Sequence, residues 1–124
     1  MTPLIIDATE DTPEVTFEPE TGKLSISGTS IPENARKFYD TIVTWIEQYA
    51  KQPHSDTSVS FKLKYFNTAS TKYLFDIMVL VKEVTKNGNS LVFNWYFNED
   101  DDDMYEAGLG FSKMLRYPFN FVRY

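Results

Sequence analysis

Strand and helix patterns alternate along these 124 residues, and the order predicts an α/β fold: a mixed, mostly parallel sheet with an N-terminal β-hairpin and three main helices. Three observations carry that expectation. Period-two alternation of apolar and polar residues marks Leu24–Gly28, Val59–Tyr65 and Leu91–Phe97. Apolar residues at helical spacing fill the segments that follow each of them. A turn cluster, Pro19-Glu20-Thr21-Gly22, ties the first alternating stretch to a short strand before it. With 42% hydrophobic and 16% aromatic residues the chain has apolar area for one core, and its length suits a single domain over residues 1–124.

The elements follow in order. Leu4–Asp7 and Val15–Phe17 are expected as short strands either side of the Thr9–Pro13 turn cluster. After the hairpin loop, Leu24, Ile26 and Gly28 alternate with Lys23, Ser25 and Ser27. Thr29-Ser30 then supplies a capping region, and Pro32-Glu33 opens a helix whose apolar positions are Phe38, Ile42, Trp45, Ile46 and Tyr49; it stops by Pro53. Val59, Phe61, Leu63 and Tyr65 form one face of the next strand, ending at Phe66-Asn67. Thr68 stands at the expected N-cap of the second helix, which carries Leu74, Ile77, Met78 and Val81 and closes at Asn87-Gly88. Leu91–Phe97 is the following strand. Asp102 or Asp103 begins the third helix, lined by Met104, Ala107, Phe111, Met114 and Leu115 and weakened by Gly108 and Gly110. Pro118 ends it, and Phe119–Tyr124 is a last strand.

Charge and composition exclude several functions. The net charge is −6, and it is uneven: residues 1–20 and 99–106 each hold six acids and no base. Nucleic-acid binding needs a basic stripe, which this chain lacks. Without cysteine there is no disulfide, thiolate metal site or thiol nucleophile. His54, the only histidine, sits beside Pro53 in a turn and is expected to face solvent. No glycine-rich phosphate loop is present. The longest apolar stretch, Tyr73–Val81, falls far short of the ~20 residues that span a bilayer. Met1-Thr2-Pro3-Leu4 has neither a basic n-region nor a long apolar h-region, so a signal peptide is not expected and the cytoplasm is the expected location.

Right-handed crossovers send the loops after parallel strands to one edge of the sheet. Gly28–Glu33, Phe66–Thr68 and Asn98–Asp103 are therefore expected as neighbours, and any site should lie there. Two motifs stand out on that edge. Glu99-Asp100-Asp101-Asp102-Asp103 suits either a solvated helix start or a divalent cation such as magnesium, and the helix start is the simpler reading. Asn67-Thr68-Ala69-Ser70-Thr71-Lys72 suits either plain helix capping by Thr68, worth about 1 kcal/mol, or a phosphorylation switch. A phosphoryl group at a helix start meets free N–H donors and the positive dipole end. Lys72 is placed to pair with it and the acidic run to repel it.

Four blocks bear on the choice: Gly28-Thr29-Ser30-Ile31-Pro32-Glu33-Asn34, Tyr65-Phe66-Asn67-Thr68-Ala69-Ser70-Thr71-Lys72, Trp95-Tyr96-Phe97-Asn98-Glu99-Asp100-Asp101, and Tyr117-Pro118-Phe119. In these the chain resembles the SiaC family of bacterial regulatory phosphoproteins, whose fold is STAS-like, similar to anti-sigma-factor antagonists. The resemblance implies a non-enzymatic partner switch without cofactor. It implies that a dedicated kinase phosphorylates the threonine matching Thr68, with Ser70 and Thr71 as alternative acceptors, and that a PP2C-type phosphatase resets it. It further implies that the unmodified form binds and activates a diguanylate cyclase or another output protein, favouring cyclic di-GMP and biofilm formation, and that phosphorylation releases the partner. Ala69 departs from the serine often found at its position. The expected partner-binding edge comprises Thr29, Ser30, Asn67, Thr68, Lys72, Asn98, Glu99 and Asp100.

The alternative from a different class is a small-molecule or divalent-metal-binding domain using residues 99–103. A structural oligomer is a third reading: Lys62 and Lys64 keep one sheet face wet unless Val92, Tyr96 and Val122 make it adhesive. Tyr65, Tyr73 and Tyr96 are expected in the core or half-buried rather than as partner anchors.

Overall fold

The computed structural model describes residues 1–124. Its strands are β1 (Leu4–Ile6), β2 (Glu14–Glu18), β3 (Lys23–Ser30), β4 (Asp56–Phe66), β5 (Ser90–Phe97) and β6 (Asn120–Arg123), and its helices are α1 (Ala35–Lys51), α2 (Thr68–Lys82) and α3 (Asp102–Leu115). The six strands form one sheet in chain order, β1-β2-β3-β4-β5-β6. Pairing is antiparallel for β1–β2 and β2–β3, and parallel from β3 to β6. The mixed, mostly parallel α/β architecture expected from the sequence is therefore present.

Because the parallel part of the sheet grows in one direction only, right-handed crossovers lay all three helices on the same face. The strand residues obey that geometry. Val15, Phe17, Leu24, Ile26, Val59, Phe61, Leu63, Leu91, Phe93 and Trp95 are buried beneath the helices, which contribute Tyr39, Ile42, Ile46, Leu74, Ile77 and Val81. The alternate residues form the uncovered face, crossed by the row Thr16, Ser25, Ser60, Asn94 and Asn120. Asn94 Nδ2 donates to Ser58 and Ser60, and Asn120 Nδ2 donates to Asn94 Oδ1. Lys62 sits over the rings of Tyr96 and Tyr124, 5.8 and 4.7 Å from their centroids. This face is mixed: the polar row and Lys62 share it with Ile5, Val92 and Tyr124, which are exposed.

Trp95 is the largest fully buried side chain. It meets Phe61 and Phe111 at 5.6 Å between ring centroids, and its indole N–H donates to the Met104 carbonyl at 2.9 Å. Gly108 exists for that ring: a Cβ there would lie 2.5 Å from Trp95 Cδ1. Gly110 has nothing near it, so only one of the two helix glycines has a packing reason.

Three local expectations need correction. Thr29-Ser30 does not cap α1; β3 runs on through Ser30, paired with Tyr65 and Phe66 beyond an irregularity at Gly28, where φ is +116°. The cap of α1 is Asn34, which accepts from the Lys37 N–H at 3.0 Å, so the helix opens after Pro32-Glu33 rather than with it. Thr68 is not the cap of α2 either, because Asn67 holds that position and Thr68 is the first helical residue. The end of α2 tightens into a 3-10 turn over Glu83–Asn87, closed by left-handed Gly88 as expected. The last strand begins at Asn120, with Phe119 buried ahead of it.

Candidate functional site

Parallel pairing brings the ends of β3, β4 and β5 to one edge, so residues 31–34, Asn67 and residues 98–101 are neighbours there. Sequence reasoning missed a fourth member. Since β2 runs antiparallel to β3, it starts where β3 ends, and the β1–β2 turn joins the same edge. The Ile31 N–H donates to the Asp11 carbonyl at 2.8 Å, fixing the two loops together. The hairpin signal contained this result, since an antiparallel neighbour reverses which end meets the edge. The consequence is electrostatic: Asp7, Glu10 and Asp11 lie to one side of the α2 start and residues 99–103 to the other, so both acidic segments share one edge.

The α2 start is built on a buried hydroxyl cluster. Ser30, at the end of β3, Tyr39, on the inner side of α1, and Ser70, in the first turn of α2, are all fully buried. Ser30 Oγ lies 2.5 Å from Tyr39 Oη and 2.8 Å from Ser70 Oγ. Ser70 Oγ is also 2.8 Å from Asn67 Oδ1 and 3.0 Å from the Ser30 carbonyl. Asn67 Oδ1 accepts the Ser70 N–H at 3.0 Å, which is the cap, and the Asn67 N–H donates to the Ser30 carbonyl at 3.0 Å. Tyr39 stacks on Tyr73, with centroids 5.3 Å apart and planes 4° from parallel. Burial pushes the Tyr39 phenol above the ordinary tyrosine range, while the Ser30 hydroxyl bonded to it and the nearby Ser70 hydroxyl pull the other way.

These contacts separate the three hydroxyls of Asn67–Lys72. Ser70 is enclosed and occupied. Thr71 is half-buried and donates to the Asn67 carbonyl at 3.2 Å. Thr68 is exposed and takes no part in the cluster. The N–H groups of Thr68 and Ala69 precede the first helical hydrogen bonds, which begin with Ser70 and Thr71 donating to Asn67. No acid occupies this first turn. Lys72 is directed along the helix, 3.8 Å from Asp76 and over the Tyr73 ring, rather than toward Thr68.

The remaining expected edge residues fall into two groups. Asn98, Glu99 and Asp100 are exposed and Thr29 is half-buried, whereas Ser30 is buried beneath the edge and has no surface to offer a partner. In the acidic run, Asn98 Oδ1 accepts from the Asp100 N–H and Asp101 Oδ1 caps the Met104 N–H, each at 3.0 Å. Asp102 and Asp103 occupy the first turn of α3. These carboxylates do not converge, and no three metal-ligating side chains of the chain gather on one point. Tyr65 corrects the expectation for it: it is 58% exposed. With Lys64 and Phe66 it faces Asp101, Asp103 and Met104 across an open cleft of about 340 Å³. His54 lies at the opposite end of the sheet, half-buried rather than open, where Nδ1 is 3.0 Å from the Asp56 backbone N–H.

No helix is long and apolar enough to cross a membrane. Residues 6–124 match the family model described as SiaC family regulatory phosphoprotein. SiaC of Pseudomonas aeruginosa, in a crystal structure with the diguanylate cyclase SiaD that it activates, is similar at a TM-score of 0.90 and 26% identity, over 98% of this chain and 99% of that one. The apo form of the same protein is similar at a TM-score of 0.86 and 26% identity, over 99% of this chain and 98% of that one. An uncharacterized protein of P. aeruginosa (strain UCBPP-PA14) is 27% identical over 119 residues, 96% of this chain and 94% of its own length.

Proposed function

The chain belongs to the SiaC family of regulatory phosphoproteins, and from that premise we propose that it is a cytoplasmic partner switch acting on a diguanylate cyclase. The observation that carries the reading is its likeness, over nearly its whole length, to an activator bound to such a cyclase. The unmodified protein binds and activates the cyclase, raising cyclic di-GMP and favouring biofilm growth. A dedicated kinase phosphorylates Thr68, and a PP2C-type phosphatase removes the group. Supporting Thr68 as the acceptor, it is the exposed hydroxyl of its turn, whereas Ser70 is enclosed and Thr71 is bonded to the backbone.

Release follows from charge. Phosphorylation adds about −1.5 to −2 at one point, on an edge already flanked by the acids of the β1–β2 turn and residues 99–103. A partner docked against Thr68, Asn67, Thr29, Asn98, Glu99 and Asp100 meets that new charge directly, and Tyr65 gives the surface an aromatic anchor. Lys72 lies beside Asp76, 3.8 Å away, and is the one base in the segment Asn67–Lys72 that can offset part of the new charge. Two measurements test the reading. Peptide mapping of protein from its native cells should find phosphate on Thr68. Calorimetry with the cyclase from the same cells should give at least a tenfold weaker Kd for Thr68→Asp, about 1.4 kcal/mol, and a parent-like Kd for Thr68→Ala. Unchanged affinity in Thr68→Asp would refute the switch.

A further inference from the structure

In the buried hydroxyl cluster every proton has an acceptor, and the direction of donation is set from its Tyr39 end. Tyr39 remains protonated because it is buried, and the only hydroxyl bonded to its oxygen is Ser30 Oγ, so it donates there. The Ser30 proton then has Ser70 Oγ as its acceptor, and the Ser70 proton goes to Asn67 Oδ1 or the Ser30 carbonyl. Of the two, Asn67 Oδ1 is the nearer, at 2.8 Å against 3.0 Å, so the sequence of donation is Tyr39 to Ser30 to Ser70 to Asn67. It ends on the amide oxygen of the residue next to Thr68, and the Ser70 N–H demands the same orientation of that amide. Asn67 Nδ2 therefore faces away from the cluster, and no side-chain nitrogen or oxygen of the chain is both buried and without a partner. Three elements meet in this chain of hydroxyls: β3 through Ser30, α1 through Tyr39 and α2 through Ser70.

We propose that Tyr39, Ser30 and Ser70 are positioning residues for phosphorylation of Thr68, a directional hydroxyl chain that fixes Asn67 and seats the first turn of α2 against the end of β3. The inference rests on the reading of Thr68 as the acceptor. Phosphoryl transfer depends on holding the attacking oxygen in line, and misplacement by about 1 Å costs up to 10²-fold in rate. Thr68 has no hydrogen bond within its own turn to hold it, so its position is that of the backbone on either side, which the chain fixes at Asn67 and Ser70.

The test uses the full chain, with the kinase that modifies it and phosphopeptide mass spectrometry across Asn67–Lys72. Ser70→Ala interrupts the chain, whereas Tyr39→Phe removes only its first donor and keeps the ring stacked on Tyr73. Circular dichroism establishes that each variant is folded. In Ser70→Ala, kcat for Thr68 should fall on the order of tenfold with KM within twofold, because the residue positions the acceptor rather than binding the kinase. Tyr39→Phe should fall less, about threefold, and it remains informative if Ser70→Ala does not fold. The double variant should be no slower than Ser70→Ala alone, since residues acting as one unit do not add. Unchanged kcat in both single variants, a change in KM alone, or fully multiplicative losses would overturn the proposal while leaving Thr68 as the switch. A parent chain that never takes phosphate on Thr68 overturns that reading and this inference with it.

Discussion

Two helices start side by side on the carboxyl edge of the sheet with the same capping geometry, one uncharged and one acidic. In α2 the Asn67 side chain accepts from Ser70 N–H, and in α3 the Asp101 side chain accepts from Met104 N–H, each at 3.0 Å. Beyond the cap they part. The first turn of α3 carries Asp102 and Asp103, so its dipole is answered permanently by carboxylates. The first turn of α2 carries no acid, only Thr68 and Ala69 ahead of a buried serine. One start is electrostatically complete, and at the other a negative charge is optional. A reversible modification has an effect only where the charge is not already present, which is why the uncharged start suits a switch and the acidic one suits a fixed wall beside it.

Breaking the seat of α3 should have the largest effect. Gly108→Ala drives a methyl into the buried Trp95 ring, 2.5 Å from Cδ1. Overpacking of this kind costs about 1–3 kcal/mol, and we expect the upper end because the indole is held by its bond to Met104. Chemical denaturation should show the loss as a lower midpoint with an unchanged slope. Next come the two caps. Asn67→Ala removes the acceptor of both the Ser70 N–H and the Ser70 hydroxyl and should cost about 2 kcal/mol, whereas Asp101→Ala loses one acceptor and should cost about 1 kcal/mol. Equal losses in the same denaturation assay would contradict the claim that the α2 cap is tied into the buried cluster.

Smaller effects sharpen the contrast. Gly110→Ala, in open space on α3, should stabilise the protein by about 0.5–1 kcal/mol, the reverse of its neighbour two residues away. Thr68→Asp should gain about 0.5 kcal/mol by giving α2 the acidic first turn that α3 already has, and added salt should erase the gain. A loss instead would mean that the two starts are not electrostatically alike. The last effect is absent at neutral pH. The folded-state pKa of Tyr39 is raised, so its contribution is complete below the unfolded value of about 10 and is lost as pH rises through the folded value. The melting temperature should therefore decline above pH 10, and Tyr39→Phe should decline less steeply.

Much of the fold was legible because side-chain periodicity is a local property. Val59, Phe61, Leu63 and Leu91, Phe93, Trp95 alternate along the chain as they do across the sheet. The helix starts were read with less success because polar caps compete at adjacent positions. Asn67 and Thr68 both suit a cap, and what decides between them is that the Asn67 N–H is tied to Ser30, 37 residues earlier, which holds Asn67 extended and leaves Thr68 to begin the helix. Ser30 shows the same limit. As a serine next to a proline-bearing loop it suits the surface, yet it is fully buried because two hydroxyls from α1 and α2 converge on it.

The sequence by itself determined the order of strands and helices, the shared edge of the loops after β3, β4 and β5, and the family. Periodicity, turn residues and short motifs are written in neighbouring positions. Only the tertiary structure decided which hydroxyl of the Asn67–Lys72 segment faces solvent, that the acidic β1–β2 turn joins the same edge, and that Tyr39, Ser30 and Ser70 meet beneath it. Those facts depend on contacts between residues far apart in the chain, where the direction of a strand and the packing of a helix set distance and burial, and local pattern carries neither.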